Sequence, residues 1–413
     1  MAYLYSALTH VREDVKRKVL DYIPNDISFD ILLKLPVKSL KRFTCVCHFW
    51  AYLFKNPLFM KMYCKHLFLS KYEYHHNFRL LLKQTEYWYD DNADIFLLSG
   101  KKIENKVKLD WPPPFKKYRE DKFILGSAVN GIICIYQASG MGNTSRINQE
   151  VVLWNPSTRE FKVIPSGSFE RTILKAYPPG SVLEDLPIIP TISNIHGFGY
   201  DLVTNDYKLI QYFCFFDNIN STDPNENTLW QIYSLKSNSW RDLKIKMPNY
   251  SWNNKLPDHI GYAIYFRGMC HWWGCEDHFG EVMLVSFNLA EEVVITTPTK
   301  TISCGFSKYM VVLNDSIAMI EDENIFYFSI LILGEIGVAE SWTRLFRIGP
   351  LSDVNKPIGV GKNGDIFLNR YSEIENFNLD TEMIEEIGFS GEFNQSQIII
   401  YNDSLLLIGG IHS

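Results

Sequence analysis

No stretch of this chain is apolar for long enough to cross a bilayer. Its longest such run, IFYFSILILG from Ile325, is about half the roughly 20 residues a spanning helix needs. The opening MAYLYSALTHVREDVKRKV is broken by charge and lacks the apolar core of a signal peptide. No Gly-x-Ser-x-Gly and no Gly-x-x-x-x-Gly-Lys-Ser/Thr occurs, which removes the commonest serine hydrolase and nucleotide-phosphate signatures. The eight cysteines are scattered (Cys45, Cys47, Cys64, Cys134, Cys214, Cys270, Cys275 and Cys304), with no paired Cys-x-x-Cys of a zinc site. A soluble protein with reduced thiols, in the cytosol or nucleus, is the expectation.

What the chain has in quantity is sheet-forming material. Of 413 residues, 27 are Phe, 23 Tyr and 10 Trp, and aromatic and β-branched residues suit a pleated, half-buried surface. The length exceeds one ordinary hydrophobic core, so two or more units, or one repeat-built unit, are expected. Charge divides the same way. Residues 1–70 hold 11 Lys/Arg against 5 Asp/Glu, and the remainder holds 30 against 42. A basic N-terminal module therefore precedes an acidic body. No basic stripe interleaved with aromatics suggests nucleic acid, and an acidic protein suits the N-terminal part better.

In that module Leu40, Phe43, Cys47, Trp50 and Phe54 step by three and four, which predicts one face of a helix. Val37, Val46, Phe49 and Leu53 fall on its other faces, and a preceding short helix carries Ile27, Ile31, Leu32 and Leu35, ended by Pro36. Two or three short helices cannot bury so much apolar surface among themselves. One side is expected to meet another chain, the alternative being that the body of this chain covers it.

The stretch YIPNDISFDILLKLPVKSLKRFTCVCHFWAYLFKNPLFMKMY resembles an F-box. Ile23-Pro24, Ile27, Ile31-Leu32, Leu35-Pro36, Val37, Leu40, Phe43, Val46-Cys47, Trp50 and Pro57/Phe59 carry the resemblance, while Ile23 stands for the usual Leu and His48 for the usual Lys. The resemblance implies docking on the acidic Skp-type adaptor of a cullin ubiquitin ligase. The adaptor-binding residues it implies are Ile23, Pro24, Ile27, Ile31, Leu32, Leu35, Pro36, Val37, Leu40, Val46 and Trp50.

Past residue 70, short apolar strands alternate with Gly, Asn and Asp turns. NGIICIY with VVLWNPSTREFKVIP begins a unit that returns along the chain, and turn positions near Asn288, Leu333 and Asn378 recur at the 40–50-residue period of a four-stranded propeller blade. QIIIYNDSLLLIGG is read as two C-terminal strands whose blade FRLLLK and DIFLLSG complete, which would close the ring. The phrases GSAVNGIICI, LWNPSTREFKVIP, GFGYDLVTNDYKLI and IYSLKSNSWRDL resemble the F-box-associated domain of plant F-box proteins, with the layout of the S-locus class. The expected architecture is mainly β with a small helical module: a tail at 1–19, an F-box at 20–66 and a β-propeller of four-stranded blades at 67–413.

Several motifs invite chemistry and are better read as structure. Gly359-x-Gly361-x-x-Gly364 leads into a strand and reads as a hairpin rather than a dinucleotide loop. Cys270 and His271 alternate to opposite strand faces, away from any shared metal. Cys45 and Cys47 are read as helical residues facing different directions. The acidic runs Asp90, Asp91, Asp94 and Glu321–Glu323 are read as solvated loops, and Asn155-Pro156-Ser157-Thr158 as turn chemistry. No cofactor, metal or catalytic group is expected. The resemblance implies a non-catalytic substrate receptor of an SCF-type ligase, with a non-degradative scaffold or a propeller hydrolase or lyase as alternatives. Long connections on a rigid scaffold are the natural place for target binding. Tyr87, Tyr89, Pro178, Ile188, Ile189 and Phe216 are the candidates.

Overall fold

The computed structural model describes residues 25–33, 35, 39, 43, 45–53 and 59 of the N-terminal part and, from 78 to 408, the strands and most of the tight turns between them. The chain divides into two compact units, Met1–Phe54 and Lys55–Ser413.

In the first unit, α1 (Asn25–Leu33) is followed by α2 (His48–Leu53). NDISFDILL holds neither Gly nor Pro, and the chain leaves the helix through a turn in which the Leu35 N–H donates to Leu32 O at 3.2 Å. Pro36 follows directly, and a residue before proline is pushed out of the helical region. The expected continuous helical face from Leu40 to Phe54 is interrupted. Cys45 and Val46 form a turn closed by the Val46 N–H on Phe43 O at 3.0 Å, so Cys47 lies outside the helix that begins at His48. Phe43 and Trp50 still meet, with ring centroids 5.4 Å apart.

The second unit is a propeller of six four-stranded blades. Blade 1 comprises β1 (Phe78–Gln84), β2 (Asp94–Ser99) and β3 (Asn105–Leu109), completed by the C-terminal strand β24; blade 2 runs through β4 (Lys122–Ile124), β5 (Ile133–Gln137), β6 (Glu150–Asn155) and β7 (Glu160–Ile164). Blade 3 holds β8 (Pro190–Asp201), β9 (Asp206–Phe215), β10 (Thr228–Ser234) and β11 (Ser239–Asp242). Blade 4 holds β12 (Ile264–Phe266), β13 (Met269–Cys275), β14 (Val282–Asn288) and β15 (Val294–Pro298). Blade 5 is β16 (Lys308–Leu313), β17 (Ser316–Asn324), β18 (Tyr327–Leu333) and β19 (Trp342–Ile348). Blade 6 is β20 (Val354–Val360), β21 (Ile366–Arg370), β22 (Glu373–Phe377) and β23 (Ile384–Ser390), after which β24 (Gln397–Asn402) returns to β1.

Burial explains the sequence texture blade by blade. The middle strands, such as ICIYQ and EVVLWN, are covered on both faces by neighbouring blades and are almost wholly buried. The outermost strands EFKVI and SWRD alternate, because one side meets water. Interblade cores follow, for instance Cys134, Tyr136, Leu153, Leu209 and Tyr233 between blades 2 and 3.

The recurring Asn/Asp phrases are turns held by their own first side chain. Asn155 Oδ1 accepts the Ser157 N–H at 2.9 Å, Asp201 Oδ1 the Val203 N–H at 2.8 Å, Asn288 Oδ1 the Ala290 N–H at 2.9 Å and Asn378 Oδ1 the Thr381 N–H at 2.9 Å. Each then passes through a left-handed residue: Arg159, Asn205, Glu292 and Glu382.

Ring closure differs in detail from expectation. One C-terminal strand, β24, joins three N-terminal ones, where two and two were expected, because NKVKL supplies the outer strand and Leu81 pairs with Ile399 in register. The seam is locked onto blade 2. The Tyr401 hydroxyl lies 2.7 Å from Ser157 Oγ and accepts the Ser157 N–H at 3.2 Å, while Asn155 Nδ2 donates to Ser404 O at 2.9 Å. Glu160 accepts the Ile408 N–H at 2.9 Å.

Candidate docking surfaces

On α1, Ile27 and Ile31 lie one helical turn apart and are 49% and 45% exposed. Leu32 and Leu33, on the opposite side, are buried. At the turn and along α2, Val46 is 59%, Phe49 39% and Tyr52 73% exposed, whereas Leu53 is buried. The described part of the module thus separates a packed set from a solvent-facing set in which Ile27, Ile31, Val46, Phe49 and Tyr52 stand beside Asp30 and His48. Of the residues expected at an adaptor interface, Ile27, Ile31 and Val46 are exposed, and Leu35 and Trp50 are half-buried. Leu32 is buried and in this state offers no surface, because a residue next to Ile31 on a helix turns by about 100°. Ile23, Pro24, Pro36, Val37 and Leu40 lie outside the described residues. Phe49 and Tyr52 join the exposed set. A helix starting at His48 rather than near Leu40 shifts which of its residues face out, and the sequence pattern alone did not mark that break.

The propeller has two unlike ends. Within each blade the chain runs antiparallel, so the connections from second to third strand, and from one blade to the next, all emerge at one end. The strand ends that bound 85–93, 110–121, 138–149, 165–189, 216–227 and 243–263 therefore all lie at that end. The other end carries the tight Asn/Asp turns. Tyr87, Tyr89, Pro178, Ile188, Ile189 and Phe216 lie outside the described residues; the described strands on either side of them end at this same end of the propeller.

The residues that hinted at other chemistry are occupied structurally. Cys270 is buried in the core between blades 3 and 4, and burial pushes its thiol well up. His271 is buried too; its Nδ1 lies 2.8 Å from Ser286 Oγ, and burial lowers it to about 4. Among the described residues no group of three His, Cys, Asp or Glu is placed to hold a metal. Gly359 and Gly361 stand in a hairpin, with the Gly361 N–H on Asp365 O at 2.7 Å, and a side chain on Gly359 would stand 2.2 Å from Ile398 O. Gly197 and Gly199 similarly leave room for Cys270 and Tyr265 of the next blade. Glu321–Glu323, expected in a loop, belong to β17, where Glu323 meets Arg347 at 2.7 Å and Arg344 at 3.2 Å. Cys45 and Cys47, expected in a helix, flank the turn at Val46 and are both exposed. Asp201 is buried at the tight-turn end. Burial would raise its carboxyl, but Lys208 Nζ at 2.8 Å, Thr204 and two backbone N–H groups outweigh that and hold it at about 2. This ion pair secures a turn.

A small helical module with exposed apolar residues and a six-bladed propeller together define a two-unit chain of helical and propeller type. The F-box associated beta propeller domain matches residues 130–405 and the F-box domain residues 20–62. The chain belongs to the F-box proteins that carry an F-box-associated β-propeller. Among curated proteins, F-box protein CPR1 of Arabidopsis thaliana is 25% identical over 79% of this chain and 73% of its own length. F-box protein At5g10340 of Arabidopsis thaliana is 24% identical over 78% and 69%. The first curated relatives are matched over 53% to 85% of their own length. Of solved structures, the SapL1 lectin in complex with alpha methyl fucoside aligns at a TM-score of 0.37 with 11% identity, over 73% of this chain and 89% of that one.

Proposed function

We propose that this chain is the substrate-recognition subunit of an SCF-type ubiquitin ligase. The F-box docks a Skp-type adaptor and, through it, a cullin, and the loop-rich end of the propeller holds a target protein for ubiquitination. The observation that carries this reading is the apolar outer face of Ile27, Ile31, Val46, Phe49 and Tyr52 inside the segment matched as an F-box. Central apolar anchors with a polar surround are what a helical docking interface uses. The strand ends bounding the candidate target connections lie at one end of the propeller, which supports the second half.

On this reading the chain adds no acid, base or nucleophile. Its contribution is proximity, since a tethered target lysine meets the charged conjugating enzyme at high effective concentration. A cytosolic or nuclear location is part of this proposal. The test is co-expression with a Skp-type adaptor followed by size-exclusion chromatography, for the intact chain and for Ile31→Glu. Co-elution of the intact chain and its loss in the variant are expected. An intact chain that elutes alone, folded, would overturn the proposal.

A further inference from the structure

We infer that the rim between blades 4 and 5 is a docking surface for a short apolar segment of a partner protein, flanked in that partner by Lys or Arg. The surface belongs neither to the F-box segment nor to the target-binding end proposed above, so it stands or falls apart from the adaptor reading. β15, the outermost strand of blade 4, begins just past the tight turn at Asn288. On its approach and along it, Val293 is 49% and Ile295 38% exposed. The β18–β19 turn of blade 5 leans on this strand. Its Gly337 N–H donates to Thr297 Oγ1 at 2.7 Å, and a Cβ on Gly337 would stand 3.3 Å from Ile295 Cγ2. Val338 follows at 39% exposed. Ile295 and Val338, with Val293 two residues along, form an apolar patch built from two blades.

The patch is ordered before any partner arrives. Ser341 Oγ accepts the Glu335 N–H at 2.9 Å and donates to Glu335 O at 2.8 Å, which closes the turn. Ile336 packs into the core between the two blades, and the Trp342 indole N–H donates to Pro298 O at 3.1 Å. On the β15 side, Asn288 Oδ1 accepts the Ala290 and Glu291 N–H groups at 2.9 and 3.1 Å. A surface fixed in this way loses little conformational entropy on docking.

Charge selects the kind of partner. The segments that carry the patch, residues 290–298 and 334–341, hold four Glu (Glu291, Glu292, Glu335 and Glu340) and no Lys or Arg. Glu291, Glu335 and Glu340 are exposed, and Glu292 meets Arg241 of blade 3. Arg344, just past the turn, is paired with Glu323 at 3.2 Å. An apolar centre in an acidic surround suits apolar anchors set between cations and repels acidic flanks. Phe161 and Val163, exposed on the outer strand β7, lack such a surround, because Arg159 and Lys162 stand there beside Glu160.

The experiment follows the fluorescence anisotropy of labelled peptides titrated with the full chain. Each has a Leu-Val-Leu-Val centre, flanked by lysines, by glutamines or by glutamates. The lysine-flanked peptide should bind saturably, about tenfold or more tighter than the glutamine-flanked one, and should weaken as salt is raised. The glutamate-flanked peptide should not bind. Ile295→Ser/Val338→Ser should raise the Kd of the lysine-flanked peptide by about tenfold with the Tm held. Glu291→Gln/Glu335→Gln should bring its Kd close to that of the glutamine-flanked peptide. If the double Ser variant loses stability, Val338→Ser alone, on the exposed turn, carries the comparison with a severalfold rise. A lysine-flanked peptide that does not bind, or binds no better than the glutamine-flanked one, overturns the inference. Unchanged binding to the folded Ser variants overturns it too, since it would show a diffuse attraction to the acidic body with no seat at this rim. No adaptor is present, so failure here leaves the ligase reading untouched.

Discussion

Replacing Ile27 and Ile31 together by Ala should weaken adaptor binding while leaving the fold nearly intact. The two side chains are 49% and 45% exposed, so docking can still remove about half of each from water. Full burial of an isoleucine is worth about 1.5–3 kcal/mol, which leaves about 1 kcal/mol per residue for the interface. The pair should then cost about 2 kcal/mol, or about 30-fold in Kd. Folding should change by less than about 1 kcal/mol, since Ala is the better helix former and offsets part of the lost packing. Leu32→Ala is the internal contrast. That side chain is 1% exposed, and truncating a buried leucine costs about 2–5 kcal/mol of stability. Calorimetric titration of the adaptor, beside thermal unfolding of each variant, separates the two effects. The reasoning fails if the Ile27→Ala/Ile31→Ala chain binds with unchanged Kd, or if its lost affinity is matched by lost stability.

At the ring seam, Tyr401→Phe keeps the buried ring and removes the hydroxyl that meets Ser157; a loss of about 1 kcal/mol is expected. A double-mutant cycle with Ser157→Ala in urea should return most of that as coupling, and a coupling near zero would mean the contact does not hold the ring shut. Acid should weaken the propeller through His271. Its folded value of about 4 lies below the ordinary 6.5, so as pH falls below 6.5 the unfolded chain takes a proton that the folded chain refuses. Stability present at pH 7 is lost as pH drops toward 4, by about 2 kcal/mol at pH 5; a His271→Asn variant with the same pH slope as the native chain would refute this. Arg159 and Glu382 are exposed residues at φ 62° and 58°. Strain of about 1–2 kcal/mol at such a residue exceeds the entropic cost of glycine, so Arg159→Gly and Glu382→Gly should each raise stability by about 0.5 kcal/mol, and a lowered Tm in both would argue against the strain.

The propeller was legible because its signals are local. Asn155, Asp201, Asn288 and Asn378 each fold their own turn, so the phrase around them recurs wherever a blade turns a corner. A hairpin needs no distant partner to be recognised, and Gly359–Gly364 was separable from a phosphate loop because a strand, not a helix, follows it. What the pattern could not give was the division of the closing blade. DIFLLSG is visibly a strand, but NKVKL, exposed along most of its length, has no buried face to announce itself. It becomes an outer strand only because Ile95–Ser99 is there to pair with. The acidic run at Glu321–Glu323 misled for the same reason. Its charges looked solvated until Arg344 and Arg347 came alongside from β19.

In the helical module the difficulty was one of phase. Apolar steps of three and four from Leu40 to Phe54 fit one long helix, and nothing in the residue types marks Cys45–Val46 as a turn. Breaking the helix there resets the rotation of everything after it. Phe49 and Tyr52 turn outward with Val46, and Leu53 inward. The expectation of surplus apolar surface in this module does not depend on that change, because it rests on quantity and not on phase. Too little chain surrounds these residues for them to cover one another. The identity of the outward residues does depend on phase, which makes Phe49→Ala and Tyr52→Ala the informative companions to Ile31→Ala. If α2 begins at His48, each should weaken adaptor binding by severalfold with the Tm held. If the helix instead ran unbroken from Leu40, Leu53 would share the face of Val46 and Phe49, and Leu53→Ala would weaken adaptor binding with the Tm held, whereas a buried Leu53 makes that truncation a loss of stability.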